Sequence, residues 1–413
     1  MRRDRGTWAA AAVAAVLLAI SFYVLIQWLE QGRLSDVGGY EQHAALIRAG
    51  LVPYRDFAFE YPPAALPVML VPAYLPWSYA TSFAVLMGVC GAVCIVAAAF
   101  ALRAVDASAE RVWAALLLIG VSPLVLGSLF DTRFDLWPTL LAVGAVAAIV
   151  RERPVLSGAL LGLGFAAKLW PAVLLPIAVA HLWRRRGQYD ALVVVAAFLA
   201  VAALCFLPFA VLAPDGLRAM FADQLNRPLQ VESLGAAVLM AAEHLGMRPL
   251  ATVTTHGAQA LSGRGAGLAA DLSTAAEIAA VVGVWILFAR RRNPDGEAVL
   301  LASAAAVCAL VAFDKVLSPQ YMIWLVPVVA LACGRRWIAA SALLLLALGL
   351  TQTWFPSDYW SLALDHRAPW SWYLLARDLA LVALAGVLVL DLSRAEGSEE
   401  RTASWRAAPR VAA

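Results

Sequence analysis

Apolar runs close to the length of a bilayer-spanning helix recur along this chain, many of them ending in clustered arginines, and that repetition admits one kind of fold. In hydrocarbon only helices and closed barrels satisfy all their backbone groups. The runs lie near residues 8–30, 77–102, 112–129, 136–150, 155–167, 170–183, 190–212, 272–289, 297–313, 318–333, 337–354 and 371–391. They predict an all-α polytopic membrane protein of about 12 transmembrane helices, with one embedded domain over 1–391 and a disordered cytoplasmic tail over 392–413. The first run, from Trp8 to Leu29, is longer than a usual signal-peptide core, so an uncleaved helix is expected.

Arginine placement orients the bundle. The chain has 29 Arg against two Lys, and with the N-terminus inside, 19 of these 31 cations fall in the termini and short inner loops. Both termini are therefore expected in the cytoplasm of a multi-pass plasma-membrane protein. The runs 155–167 and 170–183 are short, but fusing them would move Arg184, Arg185 and Arg186 to the wrong side. A hairpin of two short helices turning at Lys168, Leu169, Trp170 and Pro171 is expected instead. By the same parity the run 64–75 should lie on or dip into the outer face without spanning.

Several classes are excluded. The basic residues sit in short clusters at span ends and form no continuous patch, which argues against nucleic acid. Cys90, Cys94, Cys205, Cys308 and Cys333 all fall within apolar runs, so no disulfide framework or CxxC site is visible. The five histidines lack HxxxH or HExxH spacing, and zinc is not indicated. A hard divalent ion held by carboxylates stays open. No cofactor is called for.

The polar residues gather in two outer loops, 31–76 and 214–270, and at the outer helix ends. Residues 31–63 carry Asp36, Glu41, His43, Asp56 and Glu60 among aromatics, where a few residues would suffice to join two spans. Asp36 stands just beyond the first helix and before Gly38 and Gly39; it is either a partly desolvated base or the N-cap of the next helix. Glu60 precedes Tyr61, Pro62 and Pro63, which would hold it rigidly; the alternative is a solvated loop acid. Glu41 and Asp56 read as solvated or locally paired. In DTRFDLWP, Arg133 lies between Asp131 and Asp135 and makes either a structural ion pair or a substrate contact.

Lys168, at the hairpin tip, either meets an anion or snorkels to the surface. Lys315, beside Asp314, and Arg227, in NRPLQVES, are further phosphate-binding candidates, with Glu232 as the competing partner of Arg227. Tyr40, His43, Tyr61, Glu232 and Gln320 complete the candidate substrate contacts, and His256 lies in the same outer set. Trp170, Trp324, Trp354, Trp360, Trp370 and Trp372 are at or near outer ends, as belt residues or as platforms for sugar rings and prenyl chains. The long outer loop should hold an amphipathic helix near 234–245 and a Gly/Ser/Thr-rich stretch over 251–267.

Carboxylates and cations on one membrane face suit a reaction that removes a proton and releases an anion. A transferase using a lipid-linked sugar phosphate is one reading, and a transporter or flippase of a lipid-linked sugar is the other. The second should show ionisable groups at mid-bilayer and paired broken helices. Here the spans are nearly free of charge, with Glu277, Arg377 and Asp378 about two turns from the outer end. A scaffold without activity would leave the polar loops unexplained.

The strings DVGGYEQHAALIRAGLVPYRDFAFEYPP, RFDLWP, GALLGLGFAAKLWPAVLLP, NRPLQVES and KVLSPQYMIWLVP together resemble glycosyltransferase family 87, in order, from about residue 8 to 391. That resemblance implies a GT-C-type bundle with helical outer loops and polyprenyl-phosphate-mannose-dependent, inverting α-1,2-mannosyl transfer. It implies a polyprenyl-phosphate sugar donor, a glycan or glycolipid acceptor and a site at the outer face. An acid in the first outer loop is the base in such enzymes, which maps onto Asp36, with Glu60 as its rival. Lys168, Arg227 and Lys315 would stabilise the departing phosphate. The first loop lacks the paired DxD-like signature of some metal-dependent relatives.

Overall fold

A computed structural model of the chain describes residues 2–29, 34–247, 249–255, 257–332 and 334–407. His256 and Cys333 lie outside the described residues. Among the described residues, six helices are long and apolar enough to cross a membrane: Arg5–Gln27, Tyr79–Ala104, Gln188–Leu212, Ala266–Arg290, Gly296–Phe313 and Ala368–Arg394. The other expected spans are shorter or interrupted. The run 112–129 is divided into Ala109–Gly120 and Ser122–Leu126, with Leu129–Thr132 beyond. Pro123 starts a new helix there, and Gly127, at φ +57°, ends it. Leu136–Val150, Pro154–Ala167, Pro319–Leu331 and Trp337–Gln352 are apolar but hold only 10–17 residues each.

Polar contacts fall at two ends of the bundle. At one end Arg185 Nε lies 3.1 Å from Glu152 Oε1, Arg111 donates to the Ala332 carbonyl at 2.7 Å, and Arg336 pairs with Asp391 at 2.6 Å. At the other, Arg133 meets Asp36 and Lys168 meets Asp135. The short hairpin is present. Pro154–Ala167 runs from Glu152 to Lys168, and the 3-10 turn Trp170–Leu174 with Leu175–Arg186 returns the chain to Arg185. Its outgoing arm packs through glycine. A Cβ on Gly158 would stand 2.2 Å from the Val194 carbonyl oxygen, and one on Gly162 2.5 Å from that of Phe198. The two positions, four apart, present one small-residue face to Gln188–Leu212.

The segments Val37–Arg48, the twelve-residue helical stretch Pro63–Tyr74, Pro214–Leu225 and Leu234–His244 belong to the loops expected at the outer face. Pro63–Tyr74 reaches only about 18 Å at 1.5 Å per residue. It is held by Trp137 Nε1, which donates to the Ala64 carbonyl at 3.0 Å, and by the Tyr79 hydroxyl, which donates to Met69 O at 2.8 Å. Part of the Gly/Ser/Thr-rich stretch 251–267 is extended, within a loop that the family resemblance implied to be helical. Strands β1 (Ala251–Thr255) and β2 (Ala258–Ser262) pair antiparallel there, with Gly257 at φ +69° between them. β-branched residues in TVTT favour a strand, and Gly257 supplies the left-handed connection. The β2 segment also bonds to residues 229–231: Leu261 N donates to Leu229 O at 2.8 Å and Val231 N to Gln259 O at 3.0 Å. At the far C-terminal end, the helix from Ala368 continues to Ala407, into the segment expected to be disordered. Its Ala, Glu and Arg content favours that continuation.

Candidate active site

A cavity of about 860 Å³ lies at the end of the bundle opposite the arginine-rich loops. The loop after the first helix contributes Asp36, Glu60 and Tyr61 to its wall, and the helix junctions contribute Arg133 and Lys168. The long loop adds Arg227 and Glu232, and the segment after Phe313 adds Lys315 and Gln320. These residues come from widely separated parts of the chain. Three candidates stand elsewhere. Tyr40 is buried behind Asp36, with its hydroxyl 3.4 Å from Asp36 Oδ2. Asp135 is buried beneath Lys168. His43 does not line the cavity: it stacks on Phe57 and meets Phe59 edge-on, in a cluster of aromatic rings.

Asp36 occupies the N-cap position of Val37–Arg48, but its side chain makes no capping hydrogen bond. Its Oδ1 lies instead 2.6 Å from Nη1 of Arg133, whose side chain is 8% exposed. Burial pushes the Asp36 carboxyl above its ordinary range, with Glu60 and Asp135 adding to the rise, while the Arg133 guanidinium pulls it down. The Arg133 side chain therefore reaches past its neighbours Asp131 and Asp135 to the first loop. Asp56 is locally paired, with Arg55 at 2.9 Å.

Lys168 does not snorkel. Its Nζ lies 2.6 Å from Asp135 Oδ1 and within 5.1–5.5 Å of the ring centres of Phe134, Tyr321 and Trp324. Trp324 Nε1 donates to the same carboxylate oxygen at 2.6 Å. A buried acid thus fixes the cation at the cavity wall, which an aromatic cage further favours. Arg227 Nη2 lies 3.6 Å from Glu60 Oε2, an acid other than the competing partner Glu232. Lys315 Nζ donates to the Leu225 carbonyl at 3.2 Å. Glu232 is 2% exposed, and burial pushes its carboxyl up to about 7.

Three tryptophans depart from the belt reading. Trp170 and Trp324 are buried, stacked with centroids 4.8 Å apart, and line the cavity, while Trp354 is wholly buried. Trp360 and Trp372 remain exposed. The sequence reading passed over Gln230, Gln259, Glu277, Asp314 and Tyr359 as wall residues. NRPLQVES contains Gln230 and DKVLSPQY contains Asp314, so the signal lay inside strings already marked. Among the described residues, no group of three or more His, Cys, Asp and Glu side chains is arranged to hold a metal ion.

The family model of glycosyltransferase family 87 matches residues 59–319, well over half the chain. The chain belongs to that family. The match covers Glu60, Arg133, Lys168, Arg227, Glu232 and Lys315, and it begins after Asp36. Family 87 is a family of glycosyltransferases. One similar solved structure is the archaeal oligosaccharyltransferase AglB from Archaeoglobus fulgidus, in complex with an inhibitory peptide and a dolichol-phosphate. It shares 14% identity with this family 87 chain at a TM-score of 0.44, over 94% of this chain and 56% of AglB. The chain thus spans little more than half the length of AglB. No curated protein matches the sequence.

Proposed function

We propose that this protein is an inverting transferase that moves a hexose, with mannose the first choice, from a polyprenyl phosphate to a lipid-linked or cell-envelope glycan at the outer face of the plasma membrane. The observation that carries the reading is a single cavity in which Asp36 and Glu60 stand with Lys168, Arg227 and Lys315. An acceptor hydroxyl attacks the anomeric carbon and gives its proton to the Asp36 carboxylate. The bond from that carbon to the phosphate oxygen breaks, and the electron pair leaves with the polyprenyl phosphate. Cations fixed in advance stabilise that charge as it develops. The arginine-rich opposite end supports the outward placement of the cavity.

Incubating purified protein with radiolabelled polyprenyl-phosphate mannose, the corresponding glucose lipid and a lipid-extract acceptor pool tests the reading. Label appearing in a glycan supports transfer. Label that only changes leaflet would instead identify a flippase.

Lys168→Ala is expected to raise the donor KM by about 10- to 100-fold, the worth of a hydrogen bond to a charged group, while the acceptor KM stays within twofold. Because this strands the buried Asp135, the variant should be measured again with Asp135→Asn. Unchanged donor affinity in both would leave Lys168 a purely structural cation.

The elevated Asp36 carboxyl sets a pH dependence. A base works only when ionised, so kcat/KM should fall on acidification with an apparent pKa above the ordinary aspartate value of about 4. Arg133 opposes that elevation, so Arg133→Gln should move the acid limb further toward neutrality. An acid limb that stays in place in Arg133→Gln would show that another group is being titrated.

A further inference from the structure

Beside the cations, one stretch of the cavity wall is polar but uncharged apart from Glu232. Gln230 and Glu232 line the cavity and are 4% and 2% exposed. The Gln230 and Tyr359 side chains meet the Glu232 carboxyl, yet Gln230 Oε1 and Glu232 Oε2 each lack a hydrogen-bond partner. Buried acceptors left without donors cost stability, so two of them in the wall of one cavity point to donors brought by a ligand. Tyr359, also on the wall, interacts through its hydroxyl with the Glu232 carboxyl.

The scaffold around these groups is rigid. Gln230 Nε2 donates to Ser318 Oγ at 2.7 Å, which turns its oxygen into the remaining free acceptor. Its backbone N–H bonds the Lys315 carbonyl at 2.9 Å, and β2 holds Val231 through Gln259. On the other side Arg377, fully buried and paired with Asp378 at 2.8 Å, donates to the Glu232 carbonyl at 2.7 Å. The backbone bond ties this stretch to the segment carrying Lys315, whose side chain lines the same cavity. A ligand that carries neighbouring hydroxyls close to a phosphate fits that layout.

We propose that Gln230, Glu232 and Tyr359 form a hydroxyl-reading subsite that holds a pyranose ring through its hydroxyl groups, separate from the cations that meet phosphate. The proposal rests on the glycosyl-transfer reading and names which part of the cavity takes sugar. The ring belongs either to the hexose carried by the donor or to the terminal residue of the acceptor, and both present the same chemistry. A site built to bond substrate hydroxyls discriminates strongly against a ligand that lacks them.

The test uses the full-length protein in lipid nanodiscs and compares binding of decaprenyl phosphate with that of decaprenyl-phosphate mannose, alongside the KM for a mannose-terminated glycolipid acceptor. For a donor-side ring, wild-type protein should bind the sugar-bearing lipid at least tenfold more tightly. Gln230→Met and Glu232→Gln should remove most of that preference while decaprenyl phosphate itself binds as before. For an acceptor-side ring the preference survives and the acceptor KM rises at least tenfold. Variants that keep both the preference and the acceptor KM overturn the subsite. Should a variant lose decaprenyl phosphate as well, Tyr359→Phe decides the matter, since it deletes one oxygen and keeps the ring; wild-type behaviour there also overturns the proposal. Wild-type protein that binds neither lipid would sink the donor reading itself.

Discussion

Asp36→Asn is expected to lower turnover by roughly 10²- to 10⁴-fold, the usual contribution of a general base, with donor binding and membrane insertion retained. The replacement is nearly isosteric, and the amide oxygen can still face Arg133 and Tyr40. What it loses is the capacity to take a proton. Burial makes the native carboxyl a stronger base than a solvated aspartate, while Arg133 favours its ionised form. The measurement is single-turnover transfer from a polyprenyl-phosphate sugar. A variant with near-normal turnover removes Asp36 as the base and transfers the question to Glu60, whose own ion pair with Arg227 makes Glu60→Gln the companion experiment. Loss confined to Glu60→Gln would reverse the two roles.

Gly158→Leu is expected to yield no folded protein, and Gly158→Ala to lower thermal stability in detergent. The added methyl would stand 2.2 Å from a backbone carbonyl, and backbone cannot move aside as a side-chain tip can. Overpacking of this kind costs about 1–3 kcal/mol or more. Gly283 provides the control, because a Cβ there meets nothing within 4 Å. Gly283→Ala should leave stability unchanged or slightly higher, since alanine is the better helix former. Equal melting temperatures for Gly158→Ala and Gly283→Ala would show that Pro154–Ala167 and Gln188–Leu212 are not held together by this contact.

Periodicity and charge made the bundle legible. Arginine clusters assigned the loops to two ends, and the hairpin at Lys168 followed from parity, although neither of its helices is of full spanning length. Helix interruptions were less visible, because an apolar run reads alike whether or not Pro123 and Gly127 break it. The β-hairpin was hidden by its small polar residues, and only the alternation in TVTT and the position of Gly257 hinted at it. At the site, residue types were readable but pairings were not. Arg133 has acids on both sides in sequence and reaches Asp36 instead, and Arg227 passes over Glu232 for Glu60. Those choices depend on which loops fold over one another. Gly216 illustrates the point: a Cβ there would stand 1.8 Å from the Tyr54 carbonyl oxygen, so the segments around Tyr54 and Gly216 meet through bare backbone.

The shortness of Pro154–Ala167 has a bearing on how a lipid reaches this chamber. Fourteen residues extend about 21 Å, against roughly 30 Å of hydrocarbon, so the tip that carries Lys168 need not rise to the level where the longer helices end. In the proposed reaction a phosphate on a prenyl chain would meet that cation while the chain stays in oil, and the polar acceptor would reach it through water. Bilayer thickness becomes a parameter of the reaction, because a membrane that stretches or thins around this short arm changes the depth of the meeting point.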